Sequence, residues 1–104
     1  MPLSEVFKAL ADPTRRQILD RLKHGPLSAG EIAEGFAMSK PSVSHHLALL
    51  KGAGLIESEK NGQFVIYALN LSVFEEVAAM MFDLFSVEPA KHPAPDVKGA
   101  AHEA

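Results

Sequence analysis

Apolar residues recur at helical spacing through the first half of the chain, and capping residues divide them into short helices. Ser4 can cap a first helix, and Val6, Phe7 and Leu10 give this helix one apolar face. Asp12 followed by Pro13 is a strong start for a second helix, which we expect to reach about Lys23. Gly25-Pro26 then stops that helix because neither residue favours its continuation.

A third and a fourth helix follow closely. Ser28 and Glu31 fit a capping box, in which each side chain satisfies a backbone N–H at the other position. Ser39 is placed to cap the fourth helix, which we expect to run to Lys51. The connection between these two helices, Ala37-Met38, is tight, and two short helices joined by a tight turn are typical of a helix-turn-helix.

Beyond the fourth helix the pattern predicts strands. Residues 55–60 and 64–69 are separated by Asn61-Gly62, a strong hairpin signal because both residues tolerate positive φ. A last helix is expected from about Val73 to Phe85. The predicted fold is therefore mainly α with a small β-hairpin, in the order α-α-α-α-β-β-α, which describes a winged helix-turn-helix.

The length of 104 residues suits one small domain, which we place at residues 1–85. Residues 86–104 are rich in Pro and Ala, and we expect them to form a flexible tail.

The chain has no cysteine, which removes disulfides, thiolate metal sites and cysteine nucleophiles. The first residues do not resemble a signal peptide, and the longest apolar run, Val77–Phe82, is far short of the roughly 20 residues needed to span a bilayer. We therefore expect a cytoplasmic protein without membrane insertion.

The net charge of −3 is unevenly distributed along the chain. Residues 1–38 are neutral overall, residues 39–67 carry a net charge of +1, and residues 68–104 carry −4. Because salt screens charges beyond about 10 Å, the local charge near residues 39–67 decides whether phosphate can approach. The acidic balance of the whole chain therefore does not exclude a nucleic-acid partner.

The predicted fourth helix, Ser39–Lys51, is the candidate recognition helix. Its buried stripe is Val43, Leu47 and Leu50, and His46 at the edge of this stripe is expected to be a hydrogen-bonded histidine. The opposite face is small, polar and free of acidic residues, so it can enter a major groove about 12 Å wide without repelling phosphate. The alternative is an ordinary solvated face. The candidate DNA contacts on this helix are Lys40, Pro41, Ser42, Ser44, His45, Ala48 and Lys51.

The predicted hairpin, Leu55–Leu69, would serve as a wing along the DNA backbone or in a minor groove. Its candidate contacts are Lys60, Asn61 and Gln63, of which Lys60 is the natural phosphate partner. The alternative is a plain solvated turn. Because the charge at the tip of the hairpin is modest, we expect the wing to contribute little to DNA binding.

Two strings resemble the ArsR/SmtB family of bacterial transcriptional repressors. Residues 9–19, ALADPTRRQIL, resemble the family's opening signature, and residues 39–47, SKPSVSHHL, resemble its recognition helix in the SdpR-like autorepressor subgroup. Residues 51–56 resemble the exit into the wing, and the whole resemblance covers roughly residues 3–85. It implies a homodimeric winged-helix repressor of a roughly palindromic double-stranded DNA operator, often in its own promoter. The recognition role would fall to Lys40, Ser42, Ser44 and His45.

The last helix is apolar over more than one stripe, whereas a helix packed on one small domain needs a single apolar face. The surplus predicts a homodimer that is joined through this helix and the first. The alternative is an unusually buried helix in a monomer. The candidate dimer residues are Val6, Phe7, Leu10, Phe74, Val77, Ala78, Met81, Phe82 and Phe85.

Two arginines after the first helix, Arg15 and Arg16, have two interpretations. They could contact phosphate, or one could pair with an acidic neighbour and pin the second helix while the other stays solvated. We favour the second interpretation, because this stretch of the chain is balanced in charge.

A metal sensor is not predicted, although the resemblance includes metal-sensing relatives. The last helix offers Glu75, Glu76 and Asp83 but no histidine, and oxygen ligands alone favour hard ions over zinc. We predict no metal and no cofactor. Constitutive repression, release by a small-molecule inducer and sequestration by a partner protein all stay open.

Three other functions compete with specific DNA recognition. A winged helix that binds only a protein partner, and is regulated by or sequesters it, predicts an apolar or acidic recognition face. Nonspecific nucleoid or RNA binding predicts strong positive charge or exposed aromatic side chains. An enzyme is not expected, because there is no phosphate loop, nucleophile–base pair or metal constellation, and hence no catalytic residue.

Overall fold

The computed structural model describes residues 3–86 and confirms the predicted order of elements, with one short strand added. Apart from Ser86, the predicted flexible tail at 86–104 lies outside the described residues. No helix among residues 3–86 is long and apolar enough to cross a membrane. The elements are α1 (Leu3–Leu10), α2 (Pro13–Leu22), β1 (Leu27–Ser28), α3 (Ala29–Ala33), α4 (Lys40–Gly52), β2 (Ile56–Asn61), β3 (Phe64–Leu69) and α5 (Leu71–Phe85).

Side-chain caps start α2 and α3 where the sequence predicts them. The Asp12 carboxylate accepts a hydrogen bond of 3.0 Å from the backbone N–H of Arg15, and Pro13 occupies the first turn of α2. The capping box of α3 is reciprocal: Ser28 Oγ accepts from the Glu31 N–H at 3.1 Å, and Glu31 Oε1 accepts from the Ser28 N–H at 2.8 Å. Local interactions therefore set both helix starts.

The candidate recognition helix, α4, is capped at both ends. Ser39 Oγ accepts from the Ser42 N–H at 3.2 Å, as predicted. At the other end Gly54 has a φ of 82°, and the Leu55 N–H donates to the Leu50 carbonyl at 3.0 Å. This is a Schellman motif, in which a left-handed residue turns the chain out of the helix. It directs the chain into the wing.

The first and last helices begin earlier than predicted. Helix α1 begins at Leu3, so Ser4 lies inside the first turn and does not cap it. Helix α5 begins at Leu71, and the Asn70 side chain accepts from the Val73 N–H at its start. Asparagine satisfies the unpaired N–H groups of a first turn, which explains the earlier start of α5.

The wing is a two-stranded hairpin whose last pair joins Asn61 to Phe64. Asn61 therefore belongs to β2, and the loop residues are Gly62 and Gln63 rather than the predicted Asn61-Gly62. Gly62 has a φ of 66°, in the left-handed region that glycine adopts without steric cost. The strand pairing puts this conformation at the first loop residue, which moves the turn one position along the chain.

A third strand, β1, joins the connection between α2 and α3 to the wing. Leu27 pairs with Tyr67 and Ser28 pairs with Ile66, so the sheet order is β1-β3-β2. A strand of two residues has no detectable alternation in sequence, and so the pattern did not predict it. It ties the base of the wing to the helix-turn-helix.

The core is lined by the inward faces of all five helices of the described chain and by the start of the wing. Three inward residues of α4 are at most 2% exposed, which anchors this helix by its predicted stripe. No polar or charged side chain of residues 3–86 is buried. The buried residues are Val6, Ala9, Ile18, Leu19, Leu22, Ile32, Val43, Leu47, Leu50, Ala53, Leu55, Ile56 and Val77.

Two residues predicted for a dimer seam, Val6 and Val77, are part of this core. Val6 is 0% exposed and Val77 is 9% exposed within the single chain. Both lie on the inward side of their helices, because α1 and α5 each pack one stripe on the domain. A side chain enclosed by its own domain offers little surface to a partner, so we expect a seam to depend on other residues of α1 and α5.

Candidate nucleic-acid interface

The outward side of α4 forms a continuous small, polar surface, which we call the reading face (Lys40, Pro41, Ser42, Ser44, His45 and Ala48). All six of these residues are exposed, and no acidic residue lies between Lys40 and Lys51. Ser42 Oγ accepts from Ser39 Oγ at 3.0 Å, so it is already oriented by the cap. The apolar stripe opposite is buried, which holds the reading face towards solvent.

The end of α4 is tied to the wing by a lysine. Lys51 Nζ donates to Ser58 Oγ at 2.6 Å, which joins α4 to β2. This bond uses one of the three ammonium donors of Lys51, which is exposed. The contact holds the base of the wing next to the end of the reading face.

Strand alternation separates the charges of the wing onto two sides. Ser58 and Lys60 share a side of β2 with Ile56, which is buried, whereas Glu57 and Glu59 lie on the other side. The side that carries Lys60 is also the side that Lys51 contacts through Ser58. The wing therefore turns its lysine towards α4 and its carboxylates away from it. All three predicted contacts at the tip, Lys60, Asn61 and Gln63, are exposed.

The two adjacent histidines of α4 have different environments. Their rings lie 6.0 Å apart at an interplanar angle of 56°. His45 is exposed on the reading face, whereas the side chain of His46 is only 17% exposed. His46 Nδ1 lies 3.1 Å from Arg15 Nη1, within hydrogen-bonding distance. The prediction of a hydrogen-bonded histidine at the edge of the core is confirmed.

Both arginines of α2 bind backbone carbonyls at the end of α1. Arg15 Nε donates to the Ala9 carbonyl at 2.9 Å, and Arg16 Nη1 donates to the Leu10 carbonyl at 2.7 Å. Carbonyls in the last turn of a helix have no partner within it and attract cations. The prediction that an arginine pins α2 is confirmed, whereas the predicted carboxylate partner and the solvated second arginine are wrong, because both arginines bind carbonyls of α1.

The carboxyl group of Asp12, which caps α2, has a lowered pKa. The pKa of the Asp12 carboxyl is held below its ordinary value, chiefly because the carboxylate accepts the backbone hydrogen bond from Arg15. Partial desolvation opposes this effect, and the positive charge of Arg15 adds to it. Asp12 therefore stabilises the folded state most when it is ionised.

Replacing Asp12 with alanine should lower the melting temperature at pH 7, and replacing it with asparagine should lower it less, because asparagine also caps. The folded-state pKa is depressed, so the contribution is complete above the ordinary value of 3.8 and is lost as the pH falls through the folded-state pKa. Thermal denaturation followed by circular dichroism between pH 7 and pH 3 should show the gap to the alanine variant narrowing below about pH 4. A gap that stays constant over this range would contradict the role given to the carboxylate.

Helix α5 exposes a second apolar stripe beside the one that packs on the core. Phe82 and Phe85 are 77% and 68% exposed, and Leu71 at the start of the helix is 63% exposed. Of the other predicted dimer residues, Phe7 and Ala78 are exposed, whereas Leu10, Phe74 and Met81 are half-buried. Leu71 was missed because it precedes the predicted start of the helix. These residues form an exposed apolar surface on one side of the domain, which we call the α5 stripe (Leu71, Ala78, Phe82 and Phe85).

Grouped metal ligands are absent from the described residues: no three His, Asp or Glu side chains of residues 3–86 lie close enough together to hold a metal ion. Glu75, Glu76 and Asp83 are exposed on α5.

These features define a winged helix-turn-helix of the kind that places a small, polar helix in DNA. Comparison with known proteins identifies the family. Residues 10–59 match the family described as a helix-turn-helix domain. The transcriptional repressor SdpR of Bacillus subtilis (strain 168) is 49% identical over 84 residues, which cover 81% of this chain and 93% of SdpR.

Solved structures of similar proteins agree with this assignment. The crystal structure of an ArsR family transcriptional regulator superposes with a TM-score of 0.73 at 38% identity, covering 79% of this chain and 84% of that one. An ArsR-like transcriptional regulator from Rhodococcus sp. RHA1 gives a TM-score of 0.72 at 32% identity, covering 79% and 77%. This chain belongs to the ArsR family of DNA-binding transcriptional regulators, and these relatives are regulators rather than enzymes.

Proposed function

We propose that this protein is a homodimeric repressor that binds a two-fold symmetric DNA operator through the reading face of α4. The observation that carries the proposal is that this face is exposed, small and free of acidic residues, while its opposite side is anchored in the core. A helix of this kind fits a major groove about 12 Å wide. SdpR, the relative at 49% identity, is named as a transcriptional repressor.

On the reading face, small side chains allow the helix backbone to approach the bases closely. The Ser44 hydroxyl can bond a base edge or a phosphate, and the exposed ring of His45 can reach a purine acceptor. Lys40 stands at the N-terminus of α4, where the unpaired N–H groups also attract phosphate. These contacts would position the helix and read the sequence.

The wing would add a smaller contribution beside the helix. Lys60 lies on the side of the hairpin that faces α4, and the carboxylates of Glu57 and Glu59 lie on the other side. Phosphate approaching from the α4 side would therefore meet lysine before it meets carboxylate. We expect Lys60, Asn61 and Gln63 to follow the backbone or the minor groove.

The dimer would form through the α5 stripe together with Phe7 of α1. Apolar side chains that are more than half exposed at Phe82 and Phe85 are costly in water, and a second copy of the same surface would cover them. A two-fold dimer places two recognition helices about one DNA turn, roughly 34 Å, apart. Because the proposed target is DNA, we place the protein in the cytoplasm, with no catalytic role, metal or cofactor.

The proposal is tested first by a gel-shift titration of the DNA upstream of the protein's own gene, with scrambled DNA as competitor. In vitro selection from random duplexes supplies a target if that region does not bind. Two or three lysines from each protomer would neutralise about four to six phosphates, which gives a slope of log K against log salt of about −4 to −5. Failure to select any duplex with folded, dimeric protein would contradict the proposal.

Replacing His45 with alanine should weaken binding to the selected duplex by roughly 1–3 kcal/mol, because a base contact is lost. The matched control is His24→Ala, which removes an exposed histidine that follows α2 and is not part of α4. Titration of both variants against the same duplex measures the difference. Equal affinities for the two variants would mean that the reading face is wrongly assigned.

A second candidate function is a module that binds a protein partner. One observation favours it: Phe64, on the same side of the wing as Glu57 and Glu59, is 57% exposed. That side is both apolar and acidic, which suits a protein rather than DNA. Folded, dimeric protein that selects no duplex would favour this function over the first.

A further inference from the structure

One guanidinium joins three helices at the back of the recognition helix. Arg15 of α2 donates through Nη2 to the Lys8 carbonyl at 3.1 Å and through Nε to the Ala9 carbonyl at 2.9 Å, both in the last turn of α1. Its Nη1 lies 3.1 Å from Nδ1 of His46 on α4. We call this arrangement the Arg15 bridge (Arg15, His46 and the carbonyls of Lys8 and Ala9).

Two polar groups at the start of α2 lie next to Nδ1 of His46, the guanidinium of Arg15 and the carboxylate of Asp12. A guanidinium only donates hydrogen bonds, so the two side chains are hydrogen-bonded in the tautomer that carries its proton on Nε2 and accepts at Nδ1. Asp12 Oδ2 lies 3.9 Å from the same Nδ1, so the ring also neighbours the carboxylate that caps α2. The contact with Arg15, at 3.1 Å, is the shorter of the two.

The bridge is stiff. The five N–H donors of a guanidinium lie in one plane, so three bonds from its separate nitrogens fix α1, α2 and α4 relative to one another. The side chain of His46 is only 17% exposed, which limits the competition of water for its bond. Helices joined only by apolar contacts can shift relative to one another, whereas a directed hydrogen bond of this kind favours one relative position.

The two ends of the bridge lie at the two surfaces that the proposed function uses. Helix α1 carries Phe7, which is 40% exposed and adjoins the proposed dimer seam. His46 directly follows His45 of the reading face. The bridge therefore connects the element that faces the partner subunit with the element that faces DNA.

We propose that Arg15 and His46 are positioning residues that hold the two recognition helices of the dimer at the separation that a two-fold operator requires. This inference rests on the proposed function and adds to it the means by which the dimer seam sets the DNA-reading geometry. Neither residue has to touch DNA for this role.

The neighbouring arginine provides a matched control. Arg16 carries the same charge on the same helix and donates to the Leu10 carbonyl at 2.7 Å, so it ties α2 to α1 but has no bond to α4. Arg15→Gln and Arg16→Gln remove the same charge from nearly the same place. The comparison cancels the general electrostatic effect on DNA affinity. The remaining differences are the bond to α4 and the second carbonyl bond of Arg15, and variants of His46 separate these two.

The experiment measures the affinity of full-length variants for two duplexes derived by in vitro selection with the wild-type protein, one with both half-sites and one with a single half-site. Arg15→Gln should weaken binding to the full site about tenfold, the order expected for a shielded hydrogen bond to a charged group. Its half-site affinity should change less than about twofold, since a single reading head needs no fixed separation. Arg16→Gln should leave the ratio of the two affinities at the wild-type value.

The histidine end of the bridge gives an independent test, which also serves if Arg15→Gln does not fold. His46→Asn keeps an oxygen acceptor at the position of Nδ1, and His46→Leu has nearly the same shape without an acceptor. The asparagine variant should keep the wild-type ratio of full-site to half-site affinity, and the leucine variant should lower it as Arg15→Gln does. Melting temperatures of all variants show whether a loss of DNA affinity results from a loss of stability rather than from the missing bond.

The outcomes separate the two proposals. Full-site and half-site affinities that fall in the same proportion for Arg15→Gln, or an equal loss for Arg15→Gln and Arg16→Gln, would overturn the positioning role and leave the DNA function standing. A wild-type protein that selects no duplex would overturn the proposed function, and this inference with it, before any variant is made. A ratio that changes only for Arg15→Gln and His46→Leu supports the bridge.

Discussion

Replacing Phe82 with glutamate should convert the dimer into monomers and weaken binding to a full two-fold operator by at least about a hundredfold. Phe82 is 77% exposed in the single chain, and covering such a side chain is worth about 1.5–3 kcal/mol in each protomer. The substitution removes that gain twice in a symmetric dimer and places two carboxylates in an apolar seam. Two linked half-sites bind far more tightly than separate ones, so loss of the dimer lowers full-site affinity strongly.

The oligomeric state is measured by sedimentation equilibrium, and DNA affinity by titration of the selected full-site duplex. Ser72→Glu is the matched control, because it adds a carboxylate to the first turn of the same helix, outside the α5 stripe, where the helix dipole favours it. Because Phe82 is exposed, the fold of the monomer should survive, which circular dichroism can verify. A Phe82→Glu protein that remains dimeric would place the dimer seam elsewhere.

Replacing Leu50 with alanine should destabilise the protein by about 2–5 kcal/mol, a large part of the stability of a domain of this size. Leu50 is 0% exposed and anchors α4, and its carbonyl also accepts the Leu55 N–H that closes the helix. Truncation leaves a cavity that the surrounding helices cannot fill completely. The substitution therefore weakens the packing that supports α4 without changing any residue of the reading face.

The preceding residue, Leu49, provides a matched control for this prediction. Leu49 is 41% exposed on the same helix, so Leu49→Ala makes the same chemical change with a much smaller loss of buried surface. Urea denaturation of both variants at one protein concentration gives the two changes in free energy. Equal losses for Leu49→Ala and Leu50→Ala would contradict the orientation of α4.

Much of the helix-turn-helix was predictable from sequence because its boundaries depend on neighbouring residues. Asp12 and Ser39 each cap a helix through a backbone N–H three positions later, an interaction that any short peptide can form. The buried stripe of α4 follows from helical spacing alone. The surface opposite that stripe was therefore predictable as well, and all of its candidate contacts are exposed.

Features that depend on distant parts of the chain were not predictable in this way. The strand pair of Leu27 and Tyr67 joins residues forty positions apart, and two residues show no pattern. The turn of the wing shifted by one residue because strand pairing, rather than the identity of Asn61, decides which residues form the loop. Val77 was expected at the seam because periodicity shows that α5 has two apolar stripes but not which of them faces the core.

By itself, the sequence determined the order of every element except β1, the starts of α2, α3 and α4, and the acid-free reading face. Each of these depends on spacing or on residues within one turn. The tertiary structure alone decided which side of α5 is exposed and where the side chains of Arg15 and Arg16 bind. It also decided that Lys51 joins the wing through Ser58 and that His46 joins α1 through Arg15. The physical reason is that a long charged side chain can reach many partners, and only the packing of the helices determines which carbonyl or ring nitrogen lies within about 3 Å of it.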